Sequence, residues 1–129
     1  MSELRANTIS DAAGTGPVTL TGQSAAKAWV NYDQVTPSLD GSYNASSVTD
    51  NGTGNSTVNF TNDMANATYA PISGNGRDLN DNTVYGAHVL LGNLSDTYTT
   101  SAHQFRSAST TDSAVDFPQV TFVYMGDLA

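Results

Sequence analysis

Ala26-Lys27-Ala28-Trp29-Val30-Asn31-Tyr32-Asp33 is the stretch on which the reading of this chain turns. Ala26, Ala28, Val30 and Tyr32 alternate with Lys27, Trp29, Asn31 and Asp33, a two-residue period held over eight positions. Successive side chains of a strand point to opposite faces, so this period marks an extended strand and not a helix. Trp29 then falls on the face opposite Val30 and Tyr32. Two readings of that placement stand side by side: a strand covered on both faces, the second by a neighbouring subunit, or a half-exposed indole at a strand edge.

Outward from this strand the same period returns. Val58 and Phe60 alternate with Thr57, Asn59 and Thr61, and Val120, Phe122 and Tyr124 alternate with Thr121, Val123 and Met125, where both faces are again apolar. Further strands are expected at Tyr43–Thr49, Ser56–Thr61, around Tyr69–Ile72, and at Thr83–Leu91, Thr97–Arg106 and Val115–Met125. Asn51-Gly52 predicts a type I′ hairpin turn, whose two central residues both need positive φ. Gly74 to Thr83 is rich in Gly, Asn and Asp and is expected as an exposed loop. Short strands divided by turn signals predict an all-β fold, a small β-sandwich or barrel of antiparallel strands with no long helix.

Before Ala25 the chain is thinner. Leu4, Ala6 and Ile9 alternate, a Gly14-Thr15-Gly16-Pro17 turn follows, and Val18-Thr19-Leu20-Thr21 alternates again. So few large apolar residues do not make a core, so residues 1–24 are expected as an N-terminal attachment segment and 25–129 as a distal all-β domain. Leu4, Ile9, Val18, Leu20 and Trp29 are the candidate subunit-interface residues. Short strands apolar on both faces leave more apolar surface than one small core hides, and symmetric association covers it.

Composition narrows the function classes. The chain of 129 residues is 38% hydrophobic and 12% charged, with six Tyr, four Phe and one Trp, which is too aromatic and too weakly charged for a disordered chain. Its net charge of −8 comes from having only four Lys and Arg, which disfavours nucleic acid, a partner that demands clustered cations. The absence of Cys removes disulfides and thiolate metal sites. No apolar run approaches the roughly 20 residues of a membrane span, and Met1-Ser2-Glu3-Leu4-Arg5 lacks a signal peptide's apolar segment, so no membrane insertion and synthesis in the cytoplasm are expected.

Residues that carry chemistry are sparse. His88 and His103 have no partner at metal-site spacing and read as structural. Asp50-Asn51-Gly52 and Asp78-Leu79-Asn80-Asp81-Asn82 cluster oxygen ligands, but turn chemistry explains both, and the second lacks the Gly and Glu of a calcium loop. There is no Gly-x-Ser-x-Gly elbow, and Glu3 is the sole Glu. No enzyme, no cofactor and no metal are expected. Asn75, Arg77, Asp78, Asn80, Asn82 and Asn93 are the candidate receptor-contact residues, because polar loop side chains suit adaptable hydrogen bonding to a glycan or protein.

Ser2-Glu3-Leu4-Arg5-Ala6-Asn7-Thr8-Ile9, Pro17-Val18-Thr19-Leu20-Thr21-Gly22 and Ala25-Ala26-Lys27-Ala28-Trp29-Val30-Asn31-Tyr32 together resemble tailed-bacteriophage tail-fibre-like proteins. The resemblance continues through Ser42 to Gly54, including the Ser47-Val48-Thr49-Asp50-Asn51-Gly52 hairpin, through Ser56 to Thr61, and through Met64 to Ala70, where an Asn-Ala-x-Tyr-Ala strand is typical. It covers about half of the chain and weakens after Ile72. It implies a virion protein on the tail or capsid surface, trimeric, docked by its N-terminal base to phage tail or capsid proteins, with a β-domain facing outward. Two roles are open: a short tail fibre or tail-tip component contacting a host surface glycan or protein, or a capsid decoration protein or head fibre without receptor binding.

Overall fold

The structure is a computed structural model that describes residues 25–74, 88–90, 97–108 and 113–129, with 88–90 described by their backbone path alone. All of the notable elements are strands: β1 (Ala26–Asp33), β2 (Ser38–Tyr43), β3 (Ala45–Asp50), β4 (Asn55–Phe60), β5 (Ala70–Gly74), β6 (His88–Leu90), β7 (Ala102–Ala108) and β8 (Val120–Met125). They form two antiparallel four-stranded sheets, ordered β2-β1-β8-β5 and β3-β4-β7-β6. The expected all-β fold is therefore observed, and it is a sandwich.

The alternation read from sequence sorts the side chains between the two faces. Ala28 and Val30 of β1, Val58 and Phe60 of β4, Phe105 of β7, and Val120, Phe122 and Tyr124 of β8 all point inward and are buried in one core. Aromatic rings join the sheets: Phe105 and Phe122 lie 4.5 Å apart at 57°, and Phe60 meets Tyr124 edge-on at 5.0 Å. Fully burying one such side chain is worth about 1.5–3 kcal/mol, so a few rings hold the sheets together. Gln34 closes one end. Its amide nitrogen donates to Ser56 Oγ at 3.2 Å, and its oxygen accepts the Phe117 amide at 3.3 Å.

Local chemistry explains where the strands begin and end. Asn44 takes φ 53° between β2 and β3, and that corner sends the chain from one sheet to the other. Asn tolerates this left-handed conformation better than most residues. Its side chain holds the corner, accepting the Asn62 amide at 2.8 Å and donating to the Asn62 carbonyl at 3.1 Å.

Several expectations are corrected. β2 was not expected, and the strand expected over Tyr43–Thr49 is divided at Asn44. The β3–β4 hairpin forms, but not through a type I′ turn at Asn51-Gly52: Gly52 has φ 112° whereas Asn51 does not have positive φ, and Gly54 supplies the second positive φ at 66°. The loop is closed by Asn51 N–H to the Asn55 carbonyl at 2.9 Å and Asn55 N–H to the Gly52 carbonyl at 2.8 Å. Two later strands start further along than expected, β7 at Ala102 and β8 at Val120, and the Asn-Ala-x-Tyr-Ala stretch enters a strand only at Ala70. The N-terminal segment and most of the strand expected at Thr83–Leu91 lie outside the described residues.

Gly54 is where the loop meets β7. Its N–H donates to Asp116 Oδ1 at 2.7 Å and its carbonyl accepts the Ser107 amide at 2.7 Å. A Cβ added there would stand 2.4 Å from the Ser107 carbonyl oxygen and 2.9 Å from the Val115 nitrogen, both backbone atoms, whereas one added at Gly52 meets nothing within 4 Å. Gly54→Ala is therefore expected to destabilise the domain by more than the roughly 1–3 kcal/mol of a strained φ alone, and Gly52→Ala by no more than that. Urea denaturation of the two variants checks the order.

Candidate functional surface

The outward face of the β2-β1-β8-β5 sheet departs most from what a solvated sheet presents. On β1 the alternation places Lys27, Trp29, Asn31 and Asp33 outward, and the strand register extends each of these positions into a row. Trp29 pairs with Tyr43 on one side and Val123 on the other, and Val123 pairs with Ile72. Tyr43, Trp29, Val123 and Ile72 thus form an apolar row across all four strands. Trp29 is 40% exposed, Tyr43 58% and Ile72 57%. Met125, two residues on from Val123, pairs with Ala70 and extends the apolar patch.

The row on the other side is low and polar: Gly41, Asn31, Thr121 and Gly74 are partners in register, with Thr121 Oγ1 donating to Asn31 Oδ1 at 3.4 Å. Gly41 positions the indole. A Cβ at Gly41 would lie 3.2 Å from Cη2 and 3.3 Å from Cζ3 of Trp29, so the six-membered ring leans on the β2 backbone. Aromatic cover of a strand glycine is a recognised way of stabilising a sheet. Lys27 stands at one end of the outward β1 side chains and Asp33 at the other. Asp33 also caps the following turn, accepting the Val35 and Thr36 amides at 2.8 and 3.0 Å.

No protein family, no curated protein and no solved structure matches the chain.

Of the candidate subunit-interface and receptor-contact residues, Trp29 is the one that lies among the described residues. Leu4, Ile9, Val18, Leu20, Asn75, Arg77, Asp78, Asn80, Asn82 and Asn93 lie outside the described residues. Tyr43, Val123 and Ile72 were not singled out, because no local pattern links them to Trp29; only the register does. Asp50 is a turn residue, its Oδ1 accepting the Gly52 amide at 2.8 Å. No group of three or more potential metal ligands occurs among the described residues.

His103 is structural. It lies on the inner face of β7, fully buried, with Tyr98 at 4.7 Å, Phe122 edge-on at 5.3 Å and Tyr124 edge-on at 5.6 Å. Its Nδ1 shares one hydrogen bond with the Tyr124 hydroxyl at 3.1 Å, and its Nε2 has no partner. Protonation would place a charge and an unmatched N–H among aromatic rings. Burial accordingly lowers the His103 pKa from the usual 6.5 to about 4. Burial likewise raises Tyr124 well above the usual range.

This sets an acid limit. The unfolded chain takes up the His103 proton near 6.5 and the folded chain only near 4, so the contribution is fully present above pH 6.5 and is lost as pH falls towards 4. The gap between those values corresponds to about 3 kcal/mol. His103→Gln keeps a hydrogen-bonding partner for Tyr124 but does not titrate. Its unfolding free energy is expected to fall less steeply than that of the native chain between pH 6.5 and 4.5, and parallel slopes would show that His103 is not the group responsible.

Proposed function

We propose that this chain is a non-enzymatic virion protein of a tailed bacteriophage, a short tail fibre or tail-tip component that works as a homo-oligomer and contacts the host surface. The observation that carries the reading is the exposed row Tyr43–Trp29–Val123–Ile72 on a chain otherwise dominated by small polar residues. An apolar stripe across a whole sheet face marks a contact with another protein. The resemblance of Ser2–Ile9, Pro17–Gly22, Ala25–Tyr32, Ser42–Thr61 and Met64–Ala70 to tail-fibre-like proteins supplies the setting.

A non-enzymatic role is supported by the state of His103, neutral and sealed in the core, where no substrate reaches it. The acidic balance of the chain favours neutral partners such as glycans or proteins over nucleic acid. Receptor contact falls to the polar residues Asn75, Arg77, Asp78, Asn80, Asn82 and Asn93, whose side chains suit adaptable hydrogen bonding.

Adsorption of intact phage to host cells tests this. Purified protein added in excess is expected to slow adsorption by occupying the receptor, and gold-labelled antibody is expected at the tail. Unchanged adsorption together with gold on the head would replace the receptor-contacting reading with that of a capsid decoration protein or head fibre.

A further inference from the structure

We propose that the outward face of the β2-β1-β8-β5 sheet is covered by the same face of a second copy of this chain, about a two-fold axis that crosses β1 at the level of Val30. The proposal rests on the homo-oligomeric reading above and adds to it which surfaces meet and in what register.

Charge is the first reason. Along the outward side of β1 the order is Lys27, Trp29, Asn31, Asp33, a cation at one end and a carboxylate at the other. Six residues of strand separate the charged ends by about 20 Å. Two copies laid face to face with their β1 strands antiparallel bring each Lys27 opposite the other copy's Asp33. With strands parallel, like charges would meet at both ends. For a chain of net charge −8, self-association is favoured where acids meet bases, and along β1 this pairing sets each Asp33 against a Lys27.

Shape is the second reason, and it selects the same axis. The high row, Tyr43–Trp29–Val123–Ile72, adjoins the low row, Gly41–Asn31–Thr121–Gly74, which has glycine at both edge strands. Rotation about an axis between the two rows lays the high row of each copy along the low row of the other. The midpoint of Lys27 and Asp33 on β1 is Val30, which lies between the rows, so the axis that pairs the charges also fits ridge to trough. Every contact is then made twice, as an isologous interface requires. Sheets meet in this way at about 10 Å with strands within about 30° of alignment, which leaves room for Lys27 to reach across at the edge.

The chain has one Trp, and it lies at the centre of this face, so its emission reports directly on the contact. The full chain is diluted through the micromolar range while mass is followed by light scattering, and Trp29 by emission maximum and acrylamide quenching. Dissociation is expected to coincide with a red shift and increased quenching. Ile72→Lys, at an exposed position, is expected to give a folded monomer with red-shifted emission. Lys27→Asp is expected to weaken association about tenfold by facing Asp33 with a like charge. Adding Asp33→Asn, which keeps the oxygen that accepts the Val35 and Thr36 amides, is expected to restore part of that loss.

A monomer at every concentration would remove both the homo-oligomer and this pairing. An oligomer in which Trp29 stays fully quenchable and Ile72→Lys changes nothing would keep the homo-oligomer and overturn the assignment of this face. A three-copy mass with Trp29 protected, and with Lys27→Asp and Asp33→Asn acting independently, would overturn the two-fold register.

Discussion

The sandwich depends on the contact between aromatic rings of opposite sheets, Phe105 against Phe122 and Phe60 against Tyr124. These rings come from β4, β7 and β8, strands central to their sheets, and they fill the space that smaller neighbours leave. β1 contributes the small Ala28 and Val30 to this cluster, with Tyr32 buried beyond them, and β4 and β7 contribute Ser56 and Ser107 at buried positions. Large side chains opposite small ones let two sheets approach closely enough to exclude water. The inner polar groups follow from that geometry. Ser56 is taken up by Gln34, and His103 fits because one of its nitrogens meets Tyr124.

How much of this was legible depended on where each strand sits. β1, β4 and β8 are central strands with one face in the core, so their sequences carry the two-residue period plainly. β2 is an edge strand, Ser38-Leu39-Asp40-Gly41-Ser42-Tyr43, with no buried residue to set a pattern; it is extended because β1 pairs with it, irregularly, through a shift in register near Asn31. The β3–β4 turn misled for a different reason. Asn51-Gly52 is a sound local signal, but Gly54 is held by Ser107 of β7 and by Asp116 of the segment before β8, and those tertiary bonds accompany the longer loop. On the functional surface, the outward placement of Trp29 was readable from β1 alone. Its companions Tyr43, Val123 and Ile72 were not, because they come from three other strands and are united only by pairing.

The two faces of the β2-β1-β8-β5 sheet obey different physics. The inner face is sealed against the opposite sheet, where His103 of β7 is held neutral by the cost of putting charge among rings. The outer face is apolar in the middle and charged at the ends, with Lys27 and Asp33 free of the core and set apart along one strand. Burial gives the domain its stability, and the arrangement of charge about an exposed stripe gives that stripe direction.

Trp29 leaning on Gly41 bears on the energetics of any contact made there. An indole free to change rotamer loses that freedom when a partner arrives, and the loss weakens binding by about 0.5–1.5 kcal/mol for a rotamer-rich side chain. Here the ring already rests on the β2 backbone, with a glycine beneath it where any larger residue would lift it away. The largest exposed side chain of the sheet is thus preorganised by its own strand neighbour. Gly41, beneath the ring, becomes a determinant of affinity through the entropy it has already removed.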